Sequence, residues 1–165
     1  MKNIVDATHG VQESFRIAII VSVFNESITQ ALQEGALTHL KNKGFTDHQI
    51  TIVAVPGAFE IPVVAQRLAK KGIYGAIIAL GAVIRGETTH YDYVCEQVSL
   101  GCQRVMLDYA IPVIFGVLTT ENEEQALTRV GGEHGHKGKD AVDAAVRMVD
   151  VVKELTSDKP AAIGF

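Results

Sequence analysis

The chain has 165 residues, 47% of them hydrophobic, and a formal net charge of −4 at neutral pH. That is long enough to bury a real core, and residues 1–165 are expected to form a single domain. No apolar run reaches the ~18 residues of a membrane span, the opening MKNIVDATHG lacks the apolar stretch of a secretory signal, and no basic stripe is present; this points to a cytoplasmic protein with neither membrane nor nucleic acid as a partner.

Residues 1–14 are polar apart from a short Asn3-Ile4-Val5 run and read as a peripheral segment. Residues 16–24 are almost continuously apolar and rich in Ile and Val, which predicts a strand buried on both faces. Asn25-Glu26-Ser27 then predicts the cap of a helix carrying Ile28, Leu32, Leu37 and Leu40, with Gly44 as its stop. Residues 50–55 form the second strand and end at the turn signal Pro56-Gly57. Pro62 sits in the first turn of the next helix, which buries Ile61, Val64, Ala65 and Leu68 and ends near Gly72.

Residues 76–83 are the third strand. The turn at Arg85-Gly86 enters a helix over 90–108, where Tyr91, Val94, Val98, Cys102, Val105 and Tyr109 recur at helical spacing. Thr89 with Asp92 makes an approximate capping box. Cys95 and Cys102 lie two turns apart, about 11 Å of rise, too far for a disulfide between them. They read as buried, reduced thiols, with a catalytic Cys as the alternative. Residues 112–119 give a fourth strand and 122–130 a short helix. A glycine-rich loop over 131–138 leads to a final amphipathic helix marked by Ala141, Ala145, Met148, Val152 and Leu155. The tail from 157 to 165 reads as peripheral.

Strands alternate with helices throughout. Right-handed crossovers then give an α/β, flavodoxin-like three-layer sandwich: a four-stranded parallel sheet of order 2-1-3-4, covered by helices on both faces. Ligands in such sheets bind at the carboxyl ends of the strands. There the sequence places Phe24 and Asn25, then Ala58, Phe59 and Glu60, then the turn from Arg85 to His90. Phe24 is either rim packing or a platform for a flat ring, and Glu60 is either a helix-start carboxylate or an acceptor for hydroxyls. A strand end, a glycine turn and a helix start together suit an anion; the plainer reading is a β–α loop with a surface His. Gly81 and Gly86 are followed by Glu-Thr and not by Lys-Ser/Thr, so there is no Walker A loop. Glu133, His134 and His136 on a glycine loop make a poor preset metal cage, and neither a metal nor a cofactor is expected.

Several motifs occur together: Phe24-Asn25, Pro-Gly-Ala-Phe-Glu at 56–60, Gly-Ala-Val-Ile-Arg-Gly-Glu-Thr-Thr-His-Tyr at 81–91, Phe-Gly-Val-Leu-Thr-Thr at 115–120, Glu-Gln-Ala at 124–126 with Arg129, and Lys137-Gly138. This combination resembles the lumazine synthase family. The resemblance implies condensation of a ribitylaminopyrimidine, 5-amino-6-ribitylamino-2,4(1H,3H)-pyrimidinedione, with the butanone phosphate 3,4-dihydroxy-2-butanone 4-phosphate. Carried over by position, it implies His90 as general acid/base and Phe24 as the ring platform. Asn25, Ala58, Phe59 and Glu60 would line the pyrimidine and ribityl site. Ala82, Val83 and Ile84 would touch the ring edge. Glu87, Thr88 and Arg129 would hold phosphate, and Phe115, Arg129 and Lys137 would come from a neighbouring subunit. It further implies a homopentamer, or a shell of twelve pentamers, with active sites at subunit interfaces and riboflavin synthase as a candidate partner. Glu87 and Glu133 depart from the family pattern: the first adds a carboxylate beside the phosphate turn and the second stands where a Lys is common. A lumazine or flavin carrier without turnover, and a shell-forming scaffold, are the competing functions.

Overall fold

The computed structural model describes residues 15–157. The expected peripheral segments, 1–14 and the tail beyond Ser157, lie outside the described residues. The chain runs β1 (Ile17–Ser22), α1 (Glu26–Asn42), β2 (Ile50–Val55), α2 (Ile61–Lys70), β3 (Ala76–Ile84), α3 (His90–Tyr109), β4 (Val113–Thr120), α4 (Glu123–Leu127), β5 (Val130–Gly132), β6 (Gly135–His136) and α5 (Lys137–Ser157). Short 3-10 turns at Asp47–Gln49 and Ala58–Glu60 precede β2 and α2.

The main sheet is β2-β1-β3-β4 and all parallel, as the alternation of elements predicts. Ile17 lies opposite Ile50 on one side and Ala76 on the other, and β3 continues against β4 from Ile77↔Val113 to Ile84↔Thr120. All six residues of β1 and the first eight of β3 are buried. Helices cover both faces of these two strands, so neither face meets water.

Successive side chains alternate between two cores. On one face Ile17, Ile19, Ile78, Leu80 and Leu118 pack against Leu32 and Leu40 of α1 and Val142 and Ala145 of α5. On the other, Ala18, Ile20, Ile77, Val113 and Val117 pack against Ile61 and Ala65 of α2 and Val98, Cys102 and Val105 of α3. Fully burying one Ile or Leu side chain contributes about 1.5–3 kcal/mol. These paired cores hold the sheet and fix which residues stand at its carboxyl edge.

Several local expectations are corrected. Asn25 does not cap α1 with its side chain; its backbone is left-handed at φ 60° and its amide reaches another strand. Thr89 makes no side-chain cap on α3, and Asp92 pairs with Arg85 instead. Residues 131–138 are not an open loop: β5 and β6 form a small antiparallel hairpin, and α5 starts inside the stretch at Lys137. The buried stripe of α5 is Gly138, Ala141, Val142, Ala145 and Val149, while Met148 and Leu155 are exposed. The stripe follows i,i+4 steps, which leaves Met148 and Leu155 on its flank.

The hairpin is keyed to α1 by His136. A Cβ at Gly35 would collide with its imidazole, and a Cβ at Gly138 would collide with the Leu32 carbonyl, so both glycines allow the close approach of α1 and α5. The Nδ1 atom of His136 is buried without a hydrogen-bond partner among the described residues. Burial, aided by the Lys139 charge, holds the His136 imidazole below its ordinary range, against weaker opposing effects of its own backbone, of Asp140 and of the Ala31 backbone.

The fold therefore binds a proton at His136 less readily than the unfolded chain does. Stability from this group is intact above the ordinary imidazole pKa of about 6.5 and declines as pH falls below it. Thermal melts of wild type and His136→Asn between about pH 7.5 and pH 5.5 should show a smaller acid-side loss of Tm in the variant. Equal losses would mean that the folded state accepts the proton freely.

Candidate functional site

A cleft of about 670 Å³ opens at the carboxyl ends of β1, β2 and β3. The chain leaves β1 toward β2 on one side and returns to β3 on the other, so the cleft lies at the switch point of the sheet. Its volume suits a small organic ligand. Phe24 and Asn25 line it from the end of β1, and Ala58, Phe59 and Glu60 from the turn after β2. Ala82, Val83 and Ile84 form its floor at the end of β3, and Thr88 and His90 close it from the start of α3.

Backbone bonds hold this rim together past the last strand residues. The Val23 N–H donates to Val55 O at 2.8 Å and the Phe24 N–H to Pro56 O at 3.0 Å. The Asn25 amide donates to Ala82 O at 2.8 Å, tying the exit of β1 to that of β3. Its left-handed backbone lets its carbonyl accept from Ile28 and Thr29, which starts α1. Phe24 is 72% exposed and Phe59 54% exposed, so neither ring is consumed by packing against the protein. Glu60 accepts from the Gly57 N–H at 2.9 Å, and a carboxylate retains room for further donors.

The turn after β3 has the features of an anion site. The Arg85 N–H donates to Thr120 O at 2.9 Å, and the His90 N–H reaches Thr88 Oγ1 at 3.4 Å. The N–H groups of Gly86, Glu87 and Thr88 have no acceptor among the described residues, and all three residues are exposed. They stand at the N-terminus of a 20-residue helix, whose dipole favours an anion there. Glu87 is exposed and, unlike Gly86 and Thr88 on either side of it, absent from the cleft lining.

Three expected site residues stand apart from the cleft. Phe115 lies on the outer strand β4 and is exposed. Arg129 follows α4 and donates to Gln125 O at 2.7 Å and Thr128 Oγ1 at 3.2 Å. Lys137 pairs with Asp140 at 2.8 Å, and its N–H donates to Arg129 O at 2.8 Å, so the two cations form one unit beside the hairpin. Conversely, Tyr91 and Val94 line the cleft although the sequence did not single them out for it, while Gly86 of the expected anion turn lines it as well. Tyr91 and Val94 appear in the helical apolar stripe, and a stripe does not reveal which of its first members faces a cavity. Burial, with a contact to Cys95, pushes the Tyr91 hydroxyl up, and burial pushes the Cys102 thiol up to about 11, which makes it a poor nucleophile.

Comparison with known proteins bears on this cleft. The family model for 6,7-dimethyl-8-ribityllumazine synthase matches residues 14–153. Proteins of that name from three strains of Coxiella burnetii are 56% identical to this chain over 144 residues, covering 87% of it and 95% of each relative.

The bridge from Asn25 to Ala82 gives a stability prediction. Asn25→Ala removes one hydrogen bond, worth about 0.5–1.5 kcal/mol, and forces Ala into a left-handed backbone at about 1–2 kcal/mol. Asn25→Gly removes only the bond. Urea unfolding should therefore rank wild type above Asn25→Gly above Asn25→Ala; equal stability of the two variants would show that the backbone at this position carries no strain for Ala.

Proposed function

The chain belongs to the 6,7-dimethyl-8-ribityllumazine synthase family, and from that premise we propose how its cleft carries out the family's reaction. The enzyme is a transferase of riboflavin biosynthesis. It condenses 5-amino-6-ribitylamino-2,4(1H,3H)-pyrimidinedione with 3,4-dihydroxy-2-butanone 4-phosphate to 6,7-dimethyl-8-ribityllumazine, releasing phosphate and water. The observation that carries the site reading is the coincidence, in one cleft, of free aromatic faces, a carboxylate and an open helix N-terminus.

The pyrimidine stacks on Phe24, with the edge of Ala82–Ile84 alongside; the exposure of the Phe24 ring supports this. The ribityl hydroxyls donate to Glu60, near Asn25, Ala58 and Phe59. The butanone phosphate binds the N–H groups of Gly86, Glu87 and Thr88. This sets the pyrimidine amine against the ketone carbonyl. Attack gives a carbinolamine, and loss of water gives an imine. Phosphate then leaves, and ring closure with loss of a second water completes the lumazine. His90, between the ring and the phosphate turn, moves the protons. Proximity and orientation of two competent partners can supply about 7–11 kcal/mol of the acceleration, and one general acid/base about 10²–10⁴-fold.

Arg129, Lys137 and Phe115 complete the cleft of a neighbouring subunit. In support, the cleft opens on the side of α2 and α3, whereas the hairpin bearing Arg129 and Lys137 packs with α1 and α5. Further support comes from Tyr93, Leu100 and Leu107, spaced by seven along α3 and 63%, 52% and 72% exposed. Such an apolar line on a helix calls for a partner surface. The assembly is a homopentamer in the cytoplasm, and closure of twelve pentamers into a shell is its larger form. No described helix is long and apolar enough to cross a membrane.

Turnover of both substrates, followed through lumazine absorbance, tests the reading; binding without turnover would leave a carrier. His90→Ala should retain fold and binding and lower kcat by roughly 10²–10⁴-fold, while His134→Ala should leave it nearly unchanged. Unaltered kcat in His90→Ala would reduce His90 to a helix-start residue. The shared site has its own test. Phe24→Ala and Lys137→Ala, each weak alone, should regain activity when mixed and reassembled, because some interfaces then carry neither lesion. A fully active monomer would end the shared-site reading.

A further inference from the structure

Arg85 opens the turn that follows β3, yet it does not line the cleft. Its Nε donates to Glu121 Oε2 at 2.8 Å, just past β4, and its Nη2 to Asp92 Oδ1 at 3.0 Å, in the first turn of α3. Its guanidinium carbon lies 4.1 Å from the centre of the Tyr91 ring, which forms part of the cleft wall. Its own N–H is held by Thr120 O. One planar group therefore fixes the chain at both ends of the 86–89 segment and anchors both ends to the exit of β4. The segment needs such a hold: Gly86 has open space around it, and Thr89 supplies no side-chain cap.

Charge points the same way. Asp92 and Glu121 both stand beside a turn that would receive a phosphate. Arg85 occupies both carboxylates and offsets one of their two charges. Two of its five N–H donors are directed at them, and the residue stands outside the cleft lining, so it is not itself the counter-charge of the substrate. Exposed ion pairs contribute little to stability. The value of this one lies in direction, because a guanidinium fork sets two carboxylates at fixed angles, which an ammonium cannot do.

We propose that Arg85 is a positioning residue for the butanone phosphate: it never touches substrate, but it sets the Gly86–Thr88 N–H groups and His90 in place and screens that turn from Asp92 and Glu121. The proposal rests on the reading of this turn as the phosphate site. Nothing comparable connects Arg85 to Phe24 or Glu60 on the pyrimidine side, so its loss acts on one substrate.

The test is steady-state kinetics with each substrate varied in turn, on Arg85→Gln, Arg85→Lys and Arg129→Ala, with assembly and Tm recorded for each. In Arg85→Gln the KM of the butanone phosphate should rise about tenfold to a hundredfold, the range for losing an oriented charged hydrogen-bonding group, with little change in the KM of the pyrimidine. Arg85→Lys restores the charge and not the fork, so it should recover part of the loss. Adding Asp92→Asn and Glu121→Gln to Arg85→Gln should recover the share due to unscreened charge. If Arg85→Gln does not assemble, Arg85→Lys carries the test, with the same selective rise in smaller measure. Equal effects on both KM values, or a lower Tm with both unchanged, would overturn the proposal and leave Arg85 a structural tie. If Arg129→Ala raises the KM of the phosphate substrate and the Arg85 variants do not, only this proposal fails. If none of them does, the assignment of the turn to phosphate fails with it.

Discussion

A strand buried on both faces cannot slide, because a shift of one residue would exchange its two sets of side chains between two different cores. β1 and β3 are both in this position, side by side, and the whole carboxyl edge of the sheet inherits its placement from them. The Ile-rich face of β1 meets α1 and α5, and the Ala18–Ile20 face meets α2 and α3. Since that register is fixed, the residues one or two steps beyond each strand arrive at set points. Phe24, Asn25 and the Ala82–Ile84 segment owe their positions to this constraint more than to any contact among themselves.

Beyond the strands, a few polar contacts carry the order outward. The Asn25 amide joins the exits of β1 and β3, and the Arg85 guanidinium joins the exits of β3 and β4 to the first turn of α3. Between these two ties the backbone is open and its N–H groups face solvent. Binding groups are precise when rigid elements hold them and useful when they remain unsatisfied until a ligand arrives. The cleft combines the two conditions: exposed aromatic faces and free N–H groups are set on a frame whose own hydrogen bonds are made.

The α1–α5 layer does a different task. There Gly35 and Gly138 let the helices close on His136, and the hairpin holds Arg129 and Lys137 together through one backbone bond. The Asp143 carboxylate adds a surface tie between these helices. Burial raises its affinity for a proton, but its hydrogen bonds to Lys43 and His39 outweigh this and hold it below the usual carboxylate range. The cationic unit is thus held beside the hairpin, with Arg129 and Lys137 both outside the lining of this chain's own cleft.

The order of elements, the two-faced burial of the strands, the strand order and the residues at the strand ends are all legible in the chain's residues, and its motifs identify the family. These features are local or periodic: Ile and Val runs, apolar spacing of three and four, and Gly or Pro at a turn act within a few residues of themselves. The partner of each polar side chain, by contrast, is set by folding. Asn25 and Thr89 both looked like helix caps. Asn25 instead serves Ala82, 57 residues away, and Arg85 takes Glu121, 36 residues away, as well as the Asp92 that Thr89 was expected to use. Likewise a glycine-rich stretch read as an open loop became a hairpin, because His136 found a slot left by Gly35 on another helix. A cap, a turn and a long-range tie all ask for the same small set of polar residues. Which one forms depends on the donor or acceptor that folding brings alongside, and that is a property of the packed sheet and helices, not of the neighbouring residues in the chain.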